Sequence, residues 1–358
     1  MTLRVRSEAL REITAAVFRA VGSSAEEADK VAARLIEANL TGHDSHGVIR
    51  TPQYVEMIRE GRLAVNRTGR VVVETEAVAV VDGEGGFGQV VAERSTRLAI
   101  DKARRLGLGM AGLRNSGHVG RLGDWAEMAA AENMASIHLC NGTGSWNMVV
   151  PFGGRDPRTS TNPFAIAMPV PGGPPVVLDF ATSAIAEGKV RVARNKGVPV
   201  PEGCLLDARG FPTRDPNALY EGGALLPFGF PVAGHKGGGL QLMCDLFAGL
   251  FSLGRCGYDV ATEEASFSNH LLSIVIAPEL FAEMGGLAAE ARRFVEFIKS
   301  SRPVEEGGEV LMPGEPERRN KAERSANGIP LDPNTWAQLL DAGESVGLDR
   351  AELEARAT

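Results

Sequence analysis

Gly83-Glu84-Gly85-Gly86-Phe87-Gly88 reads G-x-G-x-x-G letter for letter, and its reading decides the fold of this chain. In a doubly wound sheet that spacing follows a strand, opens a helix and seats a pyrophosphate, and an acidic residue closes the next strand to hold a ribose. The flanking sequence argues against it here. Val71-Val72-Val73 and Val78-Ala79-Val80-Val81, split by Glu74-Thr75-Glu76, read as a hairpin instead of the opening of a parallel unit. The strand expected over 108–113 ends on Arg114, which suits a 2′-phosphate only if the fold is a true Rossmann fold. The six residues are therefore read as a decoy.

Outward from this turn, helix and strand signals alternate. Leu10, Ile13, Val17 and Val21 keep a helical spacing that stops at Gly22, and Ser24 with Glu27 forms a capping-box signature for a helix carrying Val31, Leu35 and Ala38 on one face. On the other side, residues 90–106 read as a helix, 108–113 as a strand, 124–133 as a helix and 135–140 as a buried strand. Short apolar strands at 165–168 and 175–180 alternate with turns such as Gly153-Gly154 and Thr161-Asn162-Pro163. Residues 240–253 are almost wholly apolar, which predicts a buried helix. A strand over 271–277, a helix after Glu283, a Pro/Gly loop over 303–316 and a last helix over 332–340 complete a mixed α/β order.

The 358 residues exceed one compact core, so two or three domains with a cleft between them are expected. A net charge of −7, with basic residues only in pairs such as Arg104-Arg105 and Arg318-Arg319, argues against nucleic acid as a partner. The first ten residues are charged throughout and read as neither a secretory signal nor a membrane anchor, which suggests a cytoplasmic protein. Cys140, Cys204, Cys244 and Cys256 have no C-x-x-C spacing and are read as reduced and structural.

The chemistry concentrates in Gly42-His43-Asp44-Ser45-His46-Gly47 followed by Arg50. On one helix, the four-residue offset would make His46 and Arg50 neighbours, although Pro52 demands a kink or a fresh helix start near Thr51. A guanidinium grips a carboxylate with two prongs, and an imidazole passes a proton to the adjacent carbonyl oxygen, so the pair suits a 2-oxo acid. A second imidazole, His118, sits in the short polar run Asn115-Ser116-Gly117-His118-Val119-Gly120. His43, His138, His235 and His270 are individually read as surface or capping residues. Lys236-Gly237-Gly238-Gly239, at the head of the apolar helix, offers bare N–H groups and a full charge to an anion, or a glycine turn for close packing. Asp179-Phe180-Ala181-Thr182-Ser183 ends a strand and either lines a pocket or caps the next helix. A metal-dependent hydrolase using His43, Asp44, His46 and His118 is the rival enzyme, without an H-E-x-x-H spacing to support it. A non-catalytic binding protein is the third reading.

Assembled, these residues resemble the type-2 malate/L-lactate dehydrogenase family, which includes ureidoglycolate dehydrogenases, diketogulonate reductases and piperideine-2-carboxylate (cyclic imino acid) reductases. The resemblance covers nearly the whole length: G-H-D-S-H-G at 42–47 with Arg50 and Tyr54, N-S-x-H-x-G at 115–120, T-N-P at 161–163, D-x-A-T-S at 179–183, G-K at 188–189, H-K-G-G-G-L at 235–240 and P-G-E at 313–315. It implies an NAD- or NADP-dependent oxidoreductase without bound metal, an α/β fold with a non-Rossmann cofactor domain on a largely antiparallel mixed sheet, helical segments from both termini, and a homodimer. It implies His46 and His118 as acid/base candidates, with His46 favoured, Arg50 as carboxylate anchor, and Ser45 and Tyr54 as polar pocket groups. Cofactor contacts would come from Asp179, Thr182, Ser183, Lys236, Gly237, Gly238, Pro313, Gly314 and Glu315, with Asn269 at a strand edge. The division expected is a helical segment 1–75 packing with 285–358, an α/β segment 76–140 carrying His118, and a cofactor domain 141–284. Arg121 and Trp146 depart from the commonest family pattern and bear on the shape of the substrate pocket. Direct hydride transfer between a nicotinamide and a 2-oxo acid would make reduction favoured toward acid pH and oxidation toward alkaline pH.

Overall fold

The computed structural model describes residues 3–144, 147–258, 267–281 and 283–357, so Trp146 lies outside the described residues. In chain order, β1 (Leu3–Val5) precedes α1 (Ser7–Ala20) and α2 (Ala25–Leu40), then two 3-10 turns and α3 (Thr51–Arg59). The hairpin of β2 (Arg70–Glu74) and β3 (Val78–Asp82) leads into α4 (Gly88–Leu106), β4 (Leu108–Ser116), α5 (Gly123–Ala130) and β5 (Ala135–Thr143). Next come β6 (Phe164–Met168), β7 (Val176–Phe180), α6 (Glu187–Lys196) and the short β8 (Leu205–Leu206), β9 (Pro212–Thr213) and β10 (Ala224–Leu225). After α7 (Gly234–Phe251) and β11 (Ser268–Ile276), the chain returns through α8 (Met284–Lys299), α9 (Glu315–Asn327), β12 (Ile329–Leu331), α10 (Pro333–Ser345) and α11 (Arg350–Ala357).

Local chemistry sets several of these boundaries. The Ser24 hydroxyl accepts the Glu27 N–H at 3.2 Å to start α2, but the Glu27 carboxylate turns away to accept from Asn66 N, so the capping box is half used. Asp332 starts α10 by accepting from Thr335 N at 3.0 Å. Gly107, at φ +83°, ends α4 in a conformation that a side chain would resist. The final helix is not one but two: Gly347 at φ +88° breaks the run, and α11 resumes to bury Leu353.

Among the described residues, seven strands form one sheet in the order β2-β3-β4-β11-β5-β6-β7. Every neighbouring pair is antiparallel except β3 and β4, which are parallel. This is the largely antiparallel mixed α/β sheet expected. The hairpin reading of β2 and β3 holds, yet β3, α4 and β4 also make a parallel crossover, so the fingerprint stands in the context that would make it genuine. What excludes a phosphate is protein already in the turn. A Cβ at Gly88 would lie 2.2 Å from the His118 carbonyl oxygen, and one at Gly83 would lie 2.9 Å from that of Asn115. Gly117 N donates to Gly86 O at 2.8 Å, and Arg114 is paired with Asp82 at 3.0 Å.

The terminal helices share a core in which Val5, Leu10, Ile13 and Val48 meet Ile329, Leu331, Leu339 and Leu353, with β1 and β12 paired antiparallel. The reading of residues 240–253 as wholly buried is corrected. Helix α7 buries Gly237, Gln241, Cys244, Asp245 and Ala248, whereas Leu242 and Leu250 are 54% and 59% exposed. The sheet under β5 and β11 covers only one side of a helix, and an apolar composition cannot say whether the other side meets the same chain.

Candidate active site

His46 and Arg50 do not share a helix. Asp44–His46 and Val48–Arg50 are separate 3-10 turns joined by Gly47, and α3 starts afresh at Thr51 with Pro52 in its first turn, where a missing N–H costs nothing. Gly47 is required by proximity, since a Cβ there would lie 2.1 Å from Asn39 Oδ1, the atom that accepts from Val48 N. The broken path still brings the groups together: Arg50 Nε donates to Ser45 O at 2.8 Å.

His118 enters from the end of β4. Its ring stacks on that of His46 with centroids 5.3 Å apart and planes 22° from parallel. Ser45 Oγ lies 2.9 Å from His46 Nδ1, and Tyr54 OH lies 2.6 Å from His118 Nδ1. Behind Tyr54, Gln89 Nε2 donates to the phenol oxygen at 3.0 Å. Burial holds both imidazoles well below the usual histidine pKa, reinforced by the other histidine and Arg50 for His46 and by Arg50 and Arg191 for His118. Both rings are therefore neutral near pH 7. Burial also raises the Tyr54 phenol to about 12, keeping it protonated.

Arg50 is buried and bonded: Nη1 donates to Gln53 at 3.0 Å and Nη2 to Glu187 at 3.0 Å. Glu187 also accepts from Arg191 at 2.9 Å and from the Tyr220 hydroxyl at 3.1 Å. Burial pushes its carboxyl up, but Arg50 and Arg191 outweigh that and hold it below the usual range. Glu187 is the main site residue that sequence reading missed; its neighbours Gly188-Lys189 were the signal. A Cβ on Gly188 would lie 2.3 Å from Ser45 Cβ, so this glycine lets α6 close onto the His46 turn.

His46, Arg50, His118, Asn141, Met148 and Glu187 line an inner recess. It shares His46, Gly120, Thr161, Pro163 and Ala186 with an outer cavity of about 580 Å³, walled by Leu122, Leu178, Phe180 and Phe228 and carrying Asp179, Ser183 and Lys189. That volume and mixture of rings, hydroxyls and cation fit the nicotinamide end of a pyridine nucleotide, whose ring would supply or accept hydride beside the two imidazoles.

The remaining expected contacts are distributed around this cavity. Asp179 accepts from Gly123 N at 2.8 Å, and burial raises its pKa. The Thr182 hydroxyl donates to the carbonyls of Thr161 and Asn162, fixing the T-N-P turn from behind. Gly237 packs against Phe228, where a Cβ would lie 2.0 Å from the carbonyl oxygen; Gly238 packs on Phe152, and Lys236 is exposed. The Lys236 turn thus backs onto the cavity through Phe228 without lining it. Asn269 accepts from Val119 N at 3.0 Å and donates to Asn141 O, so it holds the His118 loop from β11. Pro313-Gly314-Glu315 docks on the edge of β7, where Val177 N donates to Pro313 O, and Glu315 accepts from Met312 N. Arg121 lines the outer cavity, but its guanidinium is held by Asp124 and Glu127, so it is a braced wall.

The metal reading fails on the same geometry. Asp44 is taken by Arg324 and Asn39, His43 faces Glu317 at 3.3 Å, and no group of three metal-ligating side chains occurs among the described residues.

A mixed sheet flanked by helices from both termini carries two stacked imidazoles beside a buried arginine. The malate/L-lactate dehydrogenase family model matches residues 5–340, and the chain belongs to that family. It is 42% identical over 356 residues to hydroxycarboxylate dehydrogenase B of Escherichia coli (strain K12), covering 98% of this chain and 97% of that protein. A solved structure described as a putative malate/lactate dehydrogenase from E. coli superposes with a TM-score of 0.92 at 41% identity, covering 99% and 98% of the two chains. The delta1-piperideine-2-carboxylate reductase of Pseudomonas syringae superposes at 0.81 and 31% identity, covering 95% and 100%. This chain is accordingly a pyridine-nucleotide-dependent oxidoreductase.

Proposed function

We propose that the protein interconverts a small 2-oxo acid and its 2-hydroxy acid, using NAD or NADP. The observation that carries this reading is the pair of stacked imidazoles set against Arg50 at the mouth of a nucleotide-sized cavity. Arg50 lines the recess and shares Glu187 with Arg191, so a guanidinium fork stands where the acid's carboxylate would bind. His46 and His118 flank the recess as acid/base groups, with Ser45 and Tyr54 fixing their orientation. Asp179, Ser183 and Lys189 face the dinucleotide, while Thr182, Gly237, Gly238, Asn269 and the 313–315 turn hold the walls it touches.

Residues 1–75 with 285–358 form the half that presents His46 and Arg50, 76–140 the segment that presents His118, and 141–284 the cofactor half. The exposed apolar side of α7 supports a homodimer, and the four unpaired cysteines support a cytoplasmic location. Among the described residues, no helix is long and apolar enough to cross a membrane. The test is a panel of 2-oxo acids and cyclic imines assayed by nicotinamide absorbance with both cofactors. Turnover of 2-oxo acids supports the reading; turnover of cyclic imines alone, or of none, overturns it.

A further inference from the structure

We infer that Gln89 and Tyr54 are positioning residues that lock His118 as its Nε2–H tautomer, making His118 the donor to the substrate's carbonyl oxygen. The inference rests on the 2-oxo acid reading and goes beyond it by choosing between two histidines.

One hydrogen-bonded chain, from Gln89 through Tyr54 to His118, fixes where the protons sit. Gln89 sits in the first turn of α4, is 1% exposed, and donates from Nε2 to Tyr54 OH at 3.0 Å. A phenol has one proton. With a lone pair of the Tyr54 oxygen occupied by the Gln89 N–H, that proton is directed to the other close partner, His118 Nδ1 at 2.6 Å. Nδ1 then accepts, and a neutral ring that accepts at Nδ1 carries its hydrogen on Nε2. Among the described residues Nε2 has no hydrogen-bond partner, and the ring lines the recess that also holds Arg50. The opposite ordering, with His118 Nδ1–H donating to the phenol oxygen, would leave the phenol proton without an acceptor among the described residues unless the Gln89 amide were reversed. Among the described residues His46 has no such device: its Nδ1 meets only the Ser45 hydroxyl at 2.9 Å, which donates or accepts equally well.

The proton step balances along the same chain. As hydride reaches C2 of the oxo acid, the carbonyl π pair moves onto oxygen, and that oxygen takes the Nε2 proton of His118. His118 Nδ1 takes the Tyr54 phenolic proton in exchange, so the ring stays neutral and the negative charge comes to rest on the phenolate. Gln89 Nε2–H stays bonded to that oxygen, and the positive charge of Arg50 favours it. An alkoxide is more basic than a phenolate, so the transfer runs downhill; a proton from water then enters at His118 Nε2 while the Nδ1 proton returns to the Tyr54 phenolate, which restores the starting tautomer.

The experiment is two-bond 1H–15N correlation spectroscopy of the whole protein with 15N-labelled histidines, the His118 signals being assigned by their loss in His118→Asn. Wild type is expected to show Nδ1 at an unprotonated shift and Nε2 at a protonated one. Gln89→Met and Tyr54→Phe are expected to mix the two tautomers and to lower kcat for oxo acid reduction about tenfold or more, with KM within about twofold. An Nδ1–H tautomer in wild type overturns the inference, as does a pure Nε2–H signal with unchanged kcat in folded Gln89→Met. If that variant fails to fold, the wild-type spectrum still decides. The tautomer is read without turnover, so the absence of any oxo acid substrate would defeat the functional reading separately.

Discussion

An alanine at position 88 would put its Cβ 2.2 Å from the His118 carbonyl oxygen, and this one methyl group separates two meanings of the glycine turn. If the turn cradled a pyrophosphate, Gly88→Ala would weaken cofactor binding first. Because it cradles the His118 loop, we expect kcat to fall about tenfold or more while the cofactor Kd, measured by fluorescence titration, changes less than about twofold. Arg50 is expected to tolerate lysine poorly. Its fork serves Ser45 O, Gln53 and Glu187 at once, and an ammonium point charge cannot, so Arg50→Lys should raise KM for the acid about 10- to 100-fold. Steady-state kinetics equal to wild type would remove Arg50 as the anchor. The two histidines are held neutral at lower pH than a free imidazole, so oxidation, which needs a neutral base, should keep its kcat/KM down through pH 6.5. Because the donor ring is itself neutral, reduction should show no histidine limb between about pH 6.5 and 8 either, and a limb near pH 6.5–7 in either direction would count against buried, neutral imidazoles.

Strand β5 carries a different use of histidine. His138 is fully buried against Ser273 of β11, and burial alone depresses its pKa to about 3; His270 on β11 is pushed to about 4. In the unfolded chain both titrate near 6.5, so below that value the unfolded state binds protons that the native state refuses. Their contribution to stability is therefore complete above pH 6.5 and is lost as pH falls toward 4 and 3. Asp124, raised to about 6 by burial, acts in the opposite sense over part of that range, so the comparison must be made by single variant. Thermal melts from pH 7 to 4.5 should show a smaller acid drop in Tm for His138→Gln than for wild type; parallel slopes would refute it. At this scale the sequence was mostly legible. Valine-rich strands and helices with 3.6-residue spacing declare themselves locally, whereas the 3-10 pair at 44–50 follows from the close approach of Gly47 to Asn39.

The whole molecule is organised by segments that are distant in sequence. β1 and β12 pair, the terminal helices share one core, and Glu187 of α6 reaches Arg50 across 137 positions. Among the described residues, α7 leaves an apolar face exposed. Leu242, Met243, Leu250 and Phe251 of α7 lie 44–59% exposed, a patch that a second copy of the chain would cover. Sedimentation should give about twice the 37.9 kDa chain mass, and Leu250→Asp should shift it toward the monomer. A wild-type monomer at micromolar concentration would overturn the dimer.

The sequence by itself determined the α/β order and the family and singled out His46, Arg50, His118 and Tyr54 as candidates, because residue type, spacing and motif order are written along the chain. Only the tertiary structure decided that Glu187 and Arg191 share the charge of Arg50, that Gln89 stands behind Tyr54, and that the G-x-G-x-x-G turn is filled by protein. Those facts depend on which distant groups meet within about 3 Å, and hydrogen bonds and van der Waals exclusion act at that distance through space, whatever the separation in sequence.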